Sequence, residues 1–171
     1  MNHPELWQMH FSMYPEKARW ALDYKRVPHI RHSLLPGPHA ARLIPRLGQK
    51  AMPILRHEGN VLKNSAAVLD YVEQTWPDLP LYPEDPALRE KALEIQKWFD
   101  EKIGPAVRCA GFYEMLPCTE YSARRIATGL SEWQQKLYVC AFPAVRAIMM
   151  LDMQINATVA EVGCELTQEA L

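Results

Sequence analysis

A hydroxyl placed where a strand gives way to a helix is the sharpest chemical feature of this chain. The stretch is Phe11-Ser12-Met13-Tyr14-Pro15-Glu16-Lys17-Ala18-Arg19-Trp20. Backbone N–H groups converge at a helix N-terminus, and the helix dipole favours negative charge there. A thiolate ligand in that position would accept a hydrogen bond from Ser12 Oγ. A bond to a charged group is worth about 1.5–3 kcal/mol, and that lowers a thiol pKa by roughly one to two units. Starting from about 8.5, the thiol would be largely ionised at neutral pH, which makes it a nucleophile. The same hydroxyl has a plainer reading as a helix cap. Tyr14, two residues on, is a competing hydroxyl.

Two further motifs carry chemistry. In Lys50-Ala51-Met52-Pro53-Ile54-Leu55, a proline at the start of a strand has the context of a cis peptide, which would expose the backbone of Met52 to a peptide-like ligand. The plainer reading is an edge strand that begins at proline. In Lys63-Asn64-Ser65-Ala66-Ala67, Ser65 and the free amides behind it would suit a carboxylate, or simply cap a helix.

These residues must be held by elements that the pattern predicts. Leu6–His10 reads as a strand, and Pro15 suits the first turn of the helix that follows, whose apolar face is Ala18, Ala21 and Leu22. Val27-Pro28 stops that helix. His29–Leu34 reads as an edge strand, with His29 and His32 on opposite faces and unable to share a metal. Pro36, Gly37, Pro38 and Pro45 break the next stretch around a short helix near Ala40–Leu47. Met52–His57 and Asn60–Lys63 flank Glu58-Gly59 as a hairpin, and Ser65 caps a helix carrying Val68, Leu69 and Val72. The order is βαβ, a connection, then ββα.

Prolines 77, 80, 83 and 86 exclude regular structure between Trp76 and Pro86, so that stretch reads as a linker. Beyond it the chain reads as all helix. Asp85-Pro86 begins a helix carrying Leu88, Ala92, Ile95, Phe99 and Ile103, which Gly104-Pro105 should kink or end. Thr119 is a candidate cap. Ser131 with Gln134 and Thr158 with Glu161 have capping-box spacing, and Val159, Val162 and Leu166 form the last apolar stripe. The predicted domains are 1–78, a linker 79–86, and 87–171.

The 171 residues suffice for one core or two small ones. Hydrophobic residues at 49 % and charged residues at 23 % exclude a disordered chain. A net charge of −1 argues against nucleic acid as a partner. Residues 1–80 carry ten Lys+Arg against seven Asp+Glu, net +3, together with all six histidines, which suits a small anionic ligand. No apolar run is long enough to span a membrane, and the first residues do not read as a signal peptide. Cys109, Cys118, Cys140 and Cys164 lack zinc or redox spacing, so no metal site is expected and the thiols are expected to be free, as in the cytoplasm.

In order and spacing, Ser12-x-x-Pro15-x-Lys17, Met52-Pro53, Asn64-Ser65, Asp85-Pro86-Ala87 and Trp98-Phe99-Asp100 together resemble the glutathione S-transferase family. The resemblance covers most of the chain and is densest over residues 5–108. It implies a thioredoxin-like α/β N-terminal domain (βαβ-ββα) followed by an all-α C-terminal domain that is incomplete relative to the family. It further implies glutathione as co-substrate, a small electrophile as second substrate, detoxification as role and a homodimer as assembly. Ser12 would donate to the glutathione sulfur, and the Met52 backbone would pair with the cysteinyl part, with Pro53 holding the cis geometry. Ser65 would take the γ-glutamyl carboxylate, and Gln49 or Lys50 would lie near the glycyl carboxylate.

Departures from the pattern sharpen this expectation. With Ser12 and Pro15 at the cysteine positions of the turn, disulfide exchange there is chemically excluded. Asn64 replaces the usual acid or Gln, which weakens the hold on the ligand amino group. Ser12-Met13-Tyr14 lacks the Ser-Ser-Cys turn of the isomerase branch. No Ser-x-Ala-Asp motif precedes Leu171, so apolar helix faces are expected to lie open, and a non-catalytic binding or interaction module is the alternative to an enzyme.

Overall fold

The computed structural model describes residues 3–169. The chain divides into two units between Arg89 and Glu90.

The first unit is a four-stranded sheet in the order β2-β1-β3-β4, with helices between the strands. Its elements are β1 Glu5–Gln8, α1 Met13–Tyr24, β2 Ile30–Ser33, α2 Pro38–Leu47, β3 Ile54–His57, β4 Asn60–Leu62 and α3 Ser65–Thr75. β1 runs parallel to β2, with Leu6 opposite Arg31. It runs antiparallel to β3, with Leu6 opposite Leu55 and Trp7 opposite Ile54. β3 and β4 form the expected hairpin, and positive φ at both Glu58 and Gly59 gives the tight turn such hairpins favour.

Strand alternation sorts the faces. Leu6 and Leu55 pack against Ala18, Ala21 and Leu22 of α1 and Val68, Leu69 and Val72 of α3. Burying each larger aliphatic side chain stabilises by about 1.5–3 kcal/mol. Trp7 faces the other way and stacks on His32, and Arg42 of α2 lies 5.0 Å over its ring. α2 is the short helix expected near Ala40–Leu47; it begins at Pro38, runs through Pro45 and closes at Gly48 in the left-handed conformation.

The segment after α3 has no regular structure, but it is fastened down. Lys25, at the end of α1, has no exposed side-chain surface and ion-pairs with Glu73 of α3 at 2.7 Å. Its Nζ also donates to the carbonyls of Trp76 (2.6 Å) and Asp78 (3.3 Å). Glu73 in turn accepts from the Leu81 N–H at 3.0 Å.

The second unit is helical: α4 Pro86–Trp98, which begins in the first unit, a π-turn Phe99–Ile103, α5 Gly104–Met115, α6 Thr119–Ile126, α7 Glu132–Asp152 and α8 Ala157–Glu169. Asp85 Oδ1 accepts from Leu88 N at 2.9 Å, as the Asp-Pro signal predicts. Gly104-Pro105 does not end the helix. Pro105 has no N–H to give, so the ladder takes in an extra residue, Gly104 N bonds Phe99 O, and the helix resumes. Gln134 Oε1 accepts from both the N–H and the hydroxyl of Ser131. Two caps differ from expectation. Thr119 is the first helical residue rather than the cap, and Asn156, not Thr158, caps α8 by accepting from Val159 N at 3.0 Å.

The α8 stripe also differs. Val162 is exposed, and the buried residues are Ala160 and Gly163. Small residues win because α8 approaches the α5 backbone closely: a Cβ on Gly163 would meet Ala106 O at 2.5 Å and Ala110 Cβ at 3.3 Å. α7 buries Tyr138, Phe142, Val145 and Met149, while Trp133, Leu137, Ile148 and Leu151 on its other side stay exposed. Among the described residues no single helix is long and apolar enough to cross a membrane.

Two measurements check this packing. Gly163→Ala should lower unfolding free energy by about 1–3 kcal/mol through overpacking. Gly111→Ala, in the interior of α5 with open space at its Cβ position, should raise it by roughly 0.5–1 kcal/mol. Urea titrations read both. The second concerns acid. Burial pushes the Glu73 pKa up, but the hydrogen bonds from Lys25 and Leu81 together with the charges of Lys25 and Arg89 outweigh it, so the pKa lies below the ordinary 4.5. A depressed folded pKa gives stability that is present above the unfolded value and lost as pH falls through the folded one. Melting temperature should therefore fall steeply below about pH 4.5, and Glu73→Gln should flatten that decline while lowering the neutral-pH melt.

Candidate functional site

Strand register brings the three sequence motifs to one end of the sheet. β1 is antiparallel to β3, and β3 to β4, so β1 and β4 point the same way. The end of β1, the start of β3 and the end of β4 therefore lie together. α1 starts just after β1 and α3 just after β4. Two helix N-termini thus open at one sheet end and add their positive poles.

Ser12 is the residue before α1, in extended conformation (φ −91°, ψ 133°), and its side chain makes no cap hydrogen bond. Its N–H donates to Met9 O at 3.1 Å, and its carbonyl accepts from Glu16 N at 3.0 Å. The hydroxyl is thus not used as the helix cap. The amides of Met13 and Tyr14 have no intrahelical acceptor, and Pro15 has no N–H at all. Tyr14 is half-buried in the first turn.

The Met52–Pro53 bond is cis, and Pro53 is fully buried. Gln49 Nε2 donates to Ala51 O and Lys63 O, both at 3.0 Å. Both of its amide hydrogens are spent on the chain, so Gln49 fastens the loop before Pro53 to the end of β4 and has no donor left for a carboxylate. Lys50 beside it is exposed. Lys63 Nζ donates to Leu47 O at 2.8 Å, which ties the end of β4 to the end of α2.

At α3 the cap is Asn64, not Ser65. Asn64 Oδ1 accepts from Ala67 N at 2.8 Å and its carbonyl from Val68 N at 3.0 Å. Ser65 is the first helical residue and is buried. The amides of Ser65 and Ala66 have no intrahelical acceptor.

Sequence reasoning missed the support under the Ser12 turn. Arg19, 7 % exposed, donates from Nη1 to Gln8 Oε1 at 2.8 Å and from Nη2 to His10 O at 2.9 Å, and it ion-pairs with Glu16. Gln8 Nε2 reaches Ser33 Oγ of β2 at 3.2 Å. Burial, helped by Arg31 and opposed by Asp23, pulls the Arg19 pKa below its ordinary value. The available signal was a charge between the apolar positions Ala18 and Ala21, and a polar Gln8 on the strand face that carries Leu6.

A sheet in this order, with a cis-proline entering β3 and a helix following β1, is a thioredoxin-like domain, here followed by a mostly helical region. Residues 6–80 match the family model described as the glutathione S-transferase N-terminal domain, and this part of the chain belongs to the glutathione S-transferase family. It is 41 % identical over 96 residues to glutathione S-transferase U6 of Arabidopsis thaliana, a match covering 54 % of this chain and 42 % of that protein. It is 32 % identical over 101 residues to FtsZ-localized protein A of Caulobacter vibrioides, covering 55 % and 44 %. Among solved structures, beta-etherase LigF from Sphingobium sp. strain SYK-6 has a TM-score of 0.66 at 18 % identity, covering 98 % of this chain and 68 % of that one, which speaks to fold alone. The chain spans less than half the length of these two curated relatives.

The capping assignment is open to a direct check. Asn64→Ala should cost about 0.5–2 kcal/mol of unfolding free energy by removing the α3 cap, and Ser65→Ala should leave the cap in place. Equal losses in a chemical denaturation series would return the cap to Ser65.

Proposed function

We propose that this chain is a glutathione transferase: it binds glutathione at the open sheet end and joins the glutathione thiolate to a small electrophile, with Ser12 as the catalytic hydroxyl. The observation that carries the reading is the Ser12 hydroxyl, which stands at a helix N-terminus without serving as its cap. Ser12 Oγ–H donates to the bound sulfur and holds it as thiolate. The Met52 backbone pairs with the cysteinyl residue, with cis-Pro53 fixing that backbone. Ser65 and the first amides of α3 take the γ-glutamyl carboxylate. Lys50 takes the glycyl carboxylate, since Gln49 has no donor to offer. Asn64 lies by the ligand amino group, and its hold is weak because Oδ1 already serves Ala67. Tyr14 lines the ligand.

The thiol proton leaves to solvent before the chemical step. With a halide substrate, the sulfur lone pair forms the new S–C bond while the carbon–halogen bond breaks and the halide departs with its electron pair. The chain contributes a lowered thiol pKa and proximity, and no covalent intermediate with the protein is needed. The reading fits a cytoplasmic protein that detoxifies small electrophiles and works as a homodimer.

A second reading, a non-catalytic binding or interaction module, draws on a separate observation. The exposed α7 stripe, with Leu151 81 % and Trp133 66 % exposed, is apolar surface of the kind that contacts partners. A relative named for its localisation with FtsZ supports the same alternative.

Thermal melts with and without millimolar glutathione separate the two. Ligand at 100 times its Kd adds about 2.7 kcal/mol and raises the melt by several degrees. Ser12→Ala should then lower kcat by roughly one to two powers of ten, the kinetic equivalent of the lost hydrogen bond. A cooperative melt that glutathione leaves unmoved favours the interaction module. Turnover that survives Ser12→Ala moves the donor to Tyr14 or the backbone.

A further inference from the structure

A guanidinium withdrawn from solvent beneath a half-buried turn has to be there for its hydrogen bonds. Arg19 points back from the second turn of α1 into the junction between β1 and α1, where its two terminal nitrogens hold two different pieces of that junction. Nη1 grips the side chain of Gln8, the last residue of β1, at 2.8 Å. Nη2 grips the main-chain carbonyl of His10 at 2.9 Å. Gln8 is itself anchored to Ser33 Oγ on the neighbouring strand. The carbonyl just before His10, that of Met9, accepts the Ser12 N–H. The peptide groups from Gln8 to Ser12 are therefore held from both ends: from β2 through Gln8, and from α1 through Arg19 and the Glu16–Ser12 backbone bond.

We propose that Arg19 is a positioning residue for the sulfur-activating site, fixing the backbone of residues 8–12 and thereby the aim of the Ser12 hydroxyl. This rests on the reading of Ser12 as the donor to the glutathione sulfur. The fork geometry is what the task demands. Two acceptors, one on a side chain and one on the main chain, sit at two nitrogens of one rigid plane, and a lysine ammonium cannot reproduce that plane. The charged groups acting on the guanidinium are Glu16 and Asp23 of its own helix and Arg31 of β2. An error of about 1 Å in the placement of a catalytic group costs on the order of 10²-fold in rate, so loss of the plane should be felt in chemistry before it is felt in binding.

The test uses the full 171-residue chain, glutathione and a chlorinated nitroarene as electrophile, in a cycle of Arg19→Lys, Ser12→Ala and the double variant. The readouts are kcat, the KM for glutathione, and the pH at which the ultraviolet absorbance of the bound thiolate appears. Arg19→Lys should melt cooperatively, keep the KM for glutathione nearly unchanged, lower kcat roughly tenfold or more, and move the thiolate transition to higher pH. In the Ser12→Ala background the same change should add little, because it acts through Ser12. Additive losses, or an Arg19→Lys variant with unchanged kcat and thiolate transition, overturn the proposal and leave the Ser12 reading standing. If Ser12→Ala alone changes neither turnover nor the transition, the Ser12 reading falls first and takes this proposal with it. Should Arg19→Lys fail to fold, Gln8→Met removes one anchor of the guanidinium and leaves its bond to His10. It should shift the transition in the same direction by less, and no shift overturns the proposal.

Discussion

A lysine ammonium with no exposed side-chain surface has to find acceptors inside the protein, and Lys25 finds Glu73, Trp76 O and Asp78 O. This one satisfied charge joins the end of α1 to the end of α3 and to the chain that leaves the first unit. Removing either partner of a buried pair strands the other, at a cost of about 3–5 kcal/mol, which is why such a group dictates what surrounds it. Its position also suits the helix dipoles, since a cation near the C-terminal ends of two helices is favoured there. The consequence is a first unit with two unlike ends. At one, helix C-termini and the proline-rich segment are locked together. At the other, two helix N-termini stay open, with amides that no helix bond can use.

That division explains why a segment with four prolines between residues 77 and 86 is not a loose tether. Proline removes donors and excludes regular structure, so the segment has few bonds of its own to offer. It is held by groups that belong to the helices. Lys25 takes two of its carbonyls, Glu73 takes the Leu81 amide, and Arg89 lies 5.0 Å over the Tyr82 ring. The order is imposed from outside the segment, by charges placed on α1, α3 and α4.

What could be read from the sequence was local, and what could not was set by tertiary contact. The hairpin at Glu58-Gly59, the Asp85-Pro86 helix start and the Ser131–Gln134 pair follow from residues within four positions of one another, and the structure agrees. The motifs at 12, 52–53 and 64–65 were legible one by one, and the strand register brings them together. The cap of α3 fell one residue away from expectation because Asn64 and Ser65 are both good caps, and where β4 ends decides between them. Gly104-Pro105 reads as a kink or an end, and of the two the end does not occur, because a single π-turn absorbs the missing donor. The α8 stripe of Val159, Val162 and Leu166 promised a buried face, but close approach to α5 selects Ala160 and Gly163 instead. Lys25 and Arg19 look like solvent-facing charges in sequence, because nothing local announces that their acceptors lie 51 and 11 residues away.

The contrast between the two helix N-termini bears on function. α3 is capped by its own preceding side chain, since Asn64 Oδ1 takes the Ala67 amide. α1 is preceded by an equally capable residue, Ser12, whose hydroxyl does not do so. A missing side-chain cap costs roughly 0.5–2 kcal/mol. α1 can bear this because Ala18, Ala21 and Leu22 are buried against the sheet and Pro15 leaves one fewer amide unmet. A helix that forgoes an available cap keeps a hydroxyl for something outside itself. Arg19 completes the arrangement by doing from below what a cap would have done from above. It holds the turn through the His10 carbonyl and leaves the Ser12 oxygen at liberty. Support for the turn thereby falls to a side chain other than Ser12, and a rigid turn can present a hydroxyl that is not spent on keeping the turn rigid.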